Sequence, residues 1–385
     1  MLLQMKLKTY ISDLFLACRR EFASIISDEG VLVFFLFLPL VYPLIYSLVY
    51  NKEVARDVPV VVVDDSRTPS SREYVRMFDA NQGAKVVGYA ADLNEARKAV
   101  NEKRCYGILM IPSDFDEKIG RGEQADINLY CDMSLLLRYR ALFVAATEVS
   151  NAMGADIQAQ AAGAVASDPL PHFAFSIGNS AEGMASYVIP GVLVMVIQQS
   201  LVLGIMMLGA RRRQRHTAYG NRIPAMTTIW GRALCYMIIY LPMTIYVFLL
   251  VPRIFDFPST MHIGTVLAFS LPLILAVIFF GMTLQVIVRE REEVFLVFVV
   301  TSVLFIFLSG LTWPRVGMPF IWQVVGGIVP STWGVDGFLR INGNDASIAQ
   351  VSTDYLMLWL LAAAFMGAAY LVEKFIDGRN SGNNC

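Results

Sequence analysis

The apolar positions of the chain fall into six long runs that are unevenly spaced. The first, Val31–Tyr50, stands alone and is followed by the largely polar stretch 51–186. Five more runs fill the C-terminal half, over about 187–209, 230–252, 263–288, 294–312 and 355–373. A hydrocarbon core roughly 30 Å thick is crossed by about 20 apolar residues in a helix, and each run is close to that length. The pattern predicts an α-helical polytopic membrane protein of six spans, with a mixed α/β domain inserted after the first span. Val31–Tyr50 does not read as a cleavable signal. It follows an amphipathic segment, contains Pro39 and Pro43, and has no small-residue cleavage site behind it.

Periodicity subdivides the remainder. Residues 5–29 place Leu7, Ile11, Leu14, Phe15, Cys18, Phe22 and Ile25 at helical spacing, which predicts an amphipathic helix along the membrane surface over 1–30. In 51–186, Val58–Val63 reads as a buried strand ending in an Asp64-Asp65-Ser66 turn. A helix at about 70–80, a strand Lys85–Tyr89 and a helix at about 92–103 capped by Asp92 follow. Tyr106–Ile111 and Ile127–Cys131 read as strands, and about 133–165 as one long Ala-rich helix. Strands alternating with helices predict a mostly parallel sheet. Residues 187–376 hold the other five spans, and 377–385 form a tail. Between the last two spans, 313–342 is too long for a loop and too broken for a span. Its prolines (Pro314, Pro319, Pro330) and tryptophans (Trp313, Trp322, Trp333) suit short re-entrant helices at the outer leaflet.

Charge orients the layout. Lys6, Lys8, Arg19 and Arg20 precede the first run; Arg211, Arg212, Arg213, Arg215 and Arg222 follow the second; Arg289 and Arg291 separate the fourth and fifth; Lys374 and Arg379 follow the last. The opposite short loops hold only Arg253, Arg315 and Arg340. The positive-inside rule places both termini in the cytoplasm and the 51–186 domain outside.

Composition agrees with a membrane protein: 56% of residues are hydrophobic, 16% are charged, and mean hydropathy is +0.54. The net charge of −1, with no basic domain, gives no footing for nucleic acid. Five scattered cysteines and three isolated histidines (His172, His216, His262) show no metal-ligand spacing; Cys105 and Cys131 share one domain and could pair there. Asp64, Asp65, Asp114, Asp116 and Asp132 lie near strand ends, where caps and turns account for them better than an active site. The middles of the six runs contain no Asp, Glu, Lys, Arg or His, only Gln198, Gln199 and, near an end, Gln285. Ion-driven carriers need charged groups at that depth. The chain also lacks GxxxxGK[ST], so an ATP motor would have to be a second polypeptide on the cytoplasmic face.

Four passages resemble the membrane subunits of type-2 ATP-binding-cassette exporters, in the branch with a large extracytoplasmic domain between spans one and two. They are Arg20-Glu21…Asp28 running into a span with Pro39; Tyr187-Val188-Ile189-Pro190-Gly191; Ser309-Gly310…Pro314…Met318-Pro319 with Pro330…Asp336…Arg340; and, in the domain, Asp57–Asp64 with Gly107–Pro112 and Asp114-Phe115. One departure is the run Arg211-Arg212-Arg213-Gln214-Arg215-His216-Thr217-Ala218-Tyr219, which lacks the family's Glu and Gly-Thr.

The resemblance implies a non-catalytic permease without cofactor or metal of its own, in a bacterial inner membrane. It implies a cytoplasmic ATPase carrying ATP, a second permease copy or paralogue, the lipid bilayer and a periplasmic adaptor as partners. Amphipathic substrates such as drugs or lipids would move outward. Arg20, Glu21, Arg215, His216, Thr217 and Tyr219 are then expected to dock the ATPase. Trp313, Pro314, Trp322, Pro330, Trp333 and Arg340 are expected at an outer gate. The alternative is a membrane receptor or phage-recognition protein whose α/β domain binds a ligand.

Overall fold

The computed structural model describes residues 2–50, 55–132, 136–162, 184–214 and 223–382. The chain divides into two compact units: residues 52–175 form one, and the segments 1–51 and 176–385 together form the other.

The helical unit opens with α1, Leu2–Ile26. Asp28 caps the next helix by accepting from the Val31 N–H at 3.2 Å. That helix runs as α2 (Glu29–Leu32), loosens to a π-turn over Val33–Phe37, and continues as α3 (Leu38–Tyr50). The loosening sits where Pro39 has no N–H for the Phe35 carbonyl four residues back. The Tyr240 hydroxyl donates to that carbonyl instead, at 3.1 Å.

In the 52–175 unit, β1 (Val58–Asp64), α4 (Pro69–Ala80), β2 (Ala84–Tyr89), α5 (Leu93–Asn101), β3 (Gly107–Ile111), α6 (Phe115–Gly120), β4 (Asn128–Cys131) and α7 (Leu136–Ala162) follow in order. The sheet order is β2-β1-β3-β4, with β1 parallel to β2 and β3. β4 is antiparallel to β3, pairing Gly107 with Cys131, so the sheet is mixed at one edge. β1 is buried on both faces, which explains its unbroken valine run. Val60 and Val62 pack with Tyr74 and Phe78 of α4 and Leu142 of α7, while Val61 and Val63 pack with Ala96 and Ala99 of α5. Cys105 belongs to the α5 face and Cys131 packs against the other, so the sheet separates them and both thiols are free. Burial pushes the Cys131 thiol up to about 11.

The aspartates serve local backbone geometry. Asp64 accepts from the Ser66 and Arg67 N–H groups at 3.1 and 2.9 Å and from the Ser71 hydroxyl at 2.7 Å. The cap of α4 is Thr68, not the earlier turn, and Asp92 caps α5 as its position predicts.

The helical unit resumes with α8 (Met184–Gln214) and α9 (Ala225–Ile245), the latter passing through a π-turn over Tyr246–Leu250 into α10 (Val251–Ile254). Next come α11 (Ile263–Leu284), α12 (Arg291–Leu308), α13 (Phe320–Ile328), α14 (Pro330–Asn344) and α15 (Ser352–Gly382). Five of these stretches are long and apolar enough to cross a membrane: Glu29–Val49, Tyr187–Gln214, Ala225–Ile254, Ile263–Leu284 and Ser352–Phe375. The expected sixth, α12, has 18 residues, and its first turn carries Arg291, Glu292 and Glu293. Its uncharged part is therefore shorter than a crossing.

The apolar window of α8 is wholly buried, so α8 is the central helix of this unit. Its Leu193, Ile197, Leu201 and Ile205 share one core with Phe248, Phe269, Ile278 and Phe338. Two short helices, α13 and α14, stand where a broken pair was expected. Pro319 precedes the first, and Pro330 opens the second, where a missing N–H costs nothing.

Candidate functional site

The helical periodicity of α1 resolves into two faces. Ala17, Glu21 and Ile25 are buried, with Leu14 and Cys18 half-buried beside them, whereas Ile11, Phe15, Phe22 and Ile26 are exposed. The buried face packs on α9 at Gly231, where a Cβ would come within 2.6 Å of the Ala17 Cβ and 2.8 Å of the Leu14 carbonyl oxygen. Small residues at a crossing allow this approach.

Glu21 is 0% exposed. Arg212 Nη1 donates to both of its oxygens, at 2.7 and 2.9 Å, and the Tyr236 hydroxyl donates to Oε1. Arg232 Nε stands 3.7 Å from Glu21 Oε2, and its Nη1 donates to Glu373 Oε2 at 3.0 Å. Two carboxylates thus balance two guanidiniums, and together they tie α1, α8, α9 and α15 at one end of the unit. Burial alone would raise the Glu21 pKa, but Arg212, Arg232 and the Tyr236 hydrogen bond hold it below the ordinary glutamate value.

Consecutive residues of a helix point about 100° apart, so the three arginines that end α8 address three neighbours. Arg211 Nη1 lies 3.2 Å from Asp28 and donates to the Ser24 carbonyl at 3.0 Å. Arg212 reaches Glu21 and, through Nη2, Gln285 at 3.1 Å. Arg213 donates to the carbonyls of Gln285 and, at 2.5 Å, Val288, filling acceptors left open beyond the C-terminus of α11. Arg291 adds a second cation to Asp28 at 2.6 Å. These arginines are helical and bonded within the chain, so α8 extends past the 187–209 run that its apolar residues predict.

Glu21, one of the residues expected to dock an ATPase, is buried. Its carboxylate is turned into the unit, away from any outside partner, whereas Arg20 is exposed on the same helix. Arg215, His216, Thr217 and Tyr219 lie outside the described residues.

The expected gate residues divide into two groups. The Trp333 indole donates to the Gly327 carbonyl at 2.8 Å, and the Arg315 guanidinium stacks 4.5 Å above its ring. Arg340 joins Asp336 at 2.9 Å and the buried Asp354. Pro330 is buried at the start of α14, while Trp313 and Trp322 are exposed and Pro314 precedes a short turn over Arg315–Gly317. Gln198, midway along α8, accepts from the Ser331 N–H at 2.7 Å and so caps α14 across helices.

A family model described as ABC-2 family transporter protein matches residues 30–371. The chain belongs to that family. Among curated proteins, none matches it. As a family member it is a membrane permease subunit of an ABC transporter, a type of subunit that implies a separate ATPase partner.

Sequence reading singles out Glu21 as a docking residue and does not pair it with Arg212 or Arg232. Nothing in the periodicity singles out Arg232 or Glu373, which lie at the margins of apolar runs. The available signal was their opposite sign at the same predicted end of two different spans. No group of metal-ligating side chains occurs among the described residues.

Proposed function

We propose that this permease belongs to an exporter: a half-transporter that pairs with a second copy or paralogue, binds cytoplasmic ATPase subunits, and moves an amphipathic substrate outward. The basic end of the helical unit faces the cytoplasm, and the 52–175 unit lies outside. The sixth span is completed by the apolar residues that follow α12, up to about 312. The compartment is a bacterial inner membrane, and the 52–175 unit offers a surface for a periplasmic adaptor.

The observation that carries this reading is the ion cluster joining α1 to α8, α9 and α15 through Glu21. A helix lying on the membrane surface cannot be displaced without moving the ends of two spans to which it is salt-bridged and, through Arg232, of a third. In this mechanism closure of the ATPase dimer pushes α1 at its exposed face, Arg20 included, and the 215–222 segment. The cluster passes the displacement to α8. Because α8 also caps α14 through Gln198, the movement reaches the α13–α14 hairpin, past which substrate leaves.

The test is to purify the chain from its native membrane in mild detergent and measure ATP hydrolysis and substrate efflux of the complex. An ATPase is expected to copurify. Glu21→Gln is expected to keep the ATPase bound while reducing efflux at least tenfold relative to hydrolysis. Failure of any ATPase to copurify in several detergents would sink the exporter reading.

A further inference from the structure

The 52–175 unit carries an open-mouthed pocket of about 480 Å³ between α4, α6, the loop after α6 and α7, with Glu123 exposed at its rim. Tyr74, Phe115, Met153 and Ile157 supply an apolar interior, and Glu123 is the one charged side chain in the lining. That volume lies within the range of small-molecule sites, which are mostly apolar with a few placed polar groups. The inner wall is rigid. Tyr74 is 1% exposed and its hydroxyl is held by the Ala146 carbonyl at 3.1 Å and the Ser150 hydroxyl at 2.9 Å. Glu123 makes no ion pair among the described residues, because nearby Lys118 is engaged by Asp114 at 2.9 Å and Asp126 at 3.6 Å.

Gly154 marks the open side of the pocket wall. It lies inside the 27-residue helix α7 and lines the cavity, and a Cβ there would meet nothing within 4 Å. Glycine in a helix interior is destabilising relative to alanine, and no close approach demands it here.

We propose that the cavity is a binding site for a small cationic amphiphile, with its apolar body between Tyr74, Phe115, Met153 and Ile157 and its cationic head at Glu123. The site is independent of the ATPase coupling described above, and its test does not use ATP.

The full-length protein in lipid nanodiscs is photolabelled with a diazirine-bearing alkylammonium probe, and labelled peptides are mapped by mass spectrometry. An alkylsulfonate carrying the same diazirine chain is run beside it. Saturable ammonium labelling is expected within 119–127 and 150–158. It should fall at least tenfold in Gly154→Phe, which fills the space, and several-fold in Glu123→Gln, while Gly154→Ala labels as wild type. Ile157→Trp fills the cavity from another side, so a folding defect in one variant does not decide the result. Unsaturable labelling, or equal labelling in both filled variants, would overturn the site. Sulfonate labelling as strong as ammonium labelling would overturn the assignment of a cationic ligand.

Discussion

Glu21 shows how one buried side chain can set the state of a whole helix. Removing one partner from a buried ion pair costs about 3–5 kcal/mol, because the remaining charge is left in a low-dielectric site. Glu21→Gln should destabilise the detergent-solubilised protein by about that amount, read as a fall in melting temperature at neutral pH. The acid dependence has a definite sign. The folded pKa of Glu21 lies below its ordinary value, near 4.5. Its contribution is therefore complete at any pH above that ordinary value. It is lost as pH falls through the lower folded value, when the native carboxylate takes up a proton. A melting series from pH 7 to pH 3 should show the wild-type margin over Glu21→Gln constant down to about pH 5 and shrinking below it. A margin that grows on acidification would contradict the ion-pair geometry.

At the scale of elements, the seat of α1 depends on Gly231. The Cβ of alanine there would overlap the Leu14 carbonyl and the Ala17 methyl, which belong to helix backbone and a short side chain that cannot swing aside. Gly231→Ala should cost about 1–3 kcal/mol, as overpacking does elsewhere, despite alanine's better helix propensity. Gly367→Ala on α15, where a Cβ meets nothing within 4 Å, is the control and should be neutral or slightly stabilising. Thermal unfolding of the two variants side by side checks this. A Gly231→Ala protein as stable as wild type would mean that α1 is not held where the structure places it.

The elements themselves were largely legible from the chain, for identifiable reasons. β1 announced itself because four consecutive valines suit a strand buried on both faces, and α5 because Asp92 precedes a polar-faced helix. β4 is legible as a strand at Ile127–Cys131 but its antiparallel direction is not, since no local signal distinguishes the direction of a four-residue strand, and the six-residue α6 is too short to show a period. The ion cluster is not legible in the sequence, where Glu21 stands out only as a docking candidate. Salt bridges between residues 191 or 141 positions apart in the chain leave no mark in periodicity. The continuation of α8 through Arg211–Arg213 was hidden because a run of arginines after an apolar stretch reads as the start of a loop.

On the scale of the whole molecule, α8 and α15 are each bonded both to the ion cluster and to the α13–α14 hairpin, α8 through the Gln198 cap of α14 and α15 through the Asp354–Arg340 pair. Arg212 and Gln198 are 14 positions apart on a continuous helix. At 1.5 Å per residue they are separated by about 21 Å. Sites that far apart with no shared partner contribute additively to stability, within about 0.5 kcal/mol. The double variant Arg212→Ala/Gln198→Leu should therefore melt at the temperature expected from the two single variants. Transport tests something different. If α8 carries displacement from the cluster to the cap of α14, either break interrupts the same path, and the second break removes little that the first has left. Efflux by the double variant should then be close to that of the worse single variant, far above the product of the two individual losses. Measuring melting and efflux on the same four proteins separates the cases. Additive losses in both would mean that the two sites act independently, with the hairpin driven by another helix. Additive melting with non-additive efflux would identify α8 as the connecting rod, joined to α1 at one end by a pair of charges and to the hairpin at the other by a single amide.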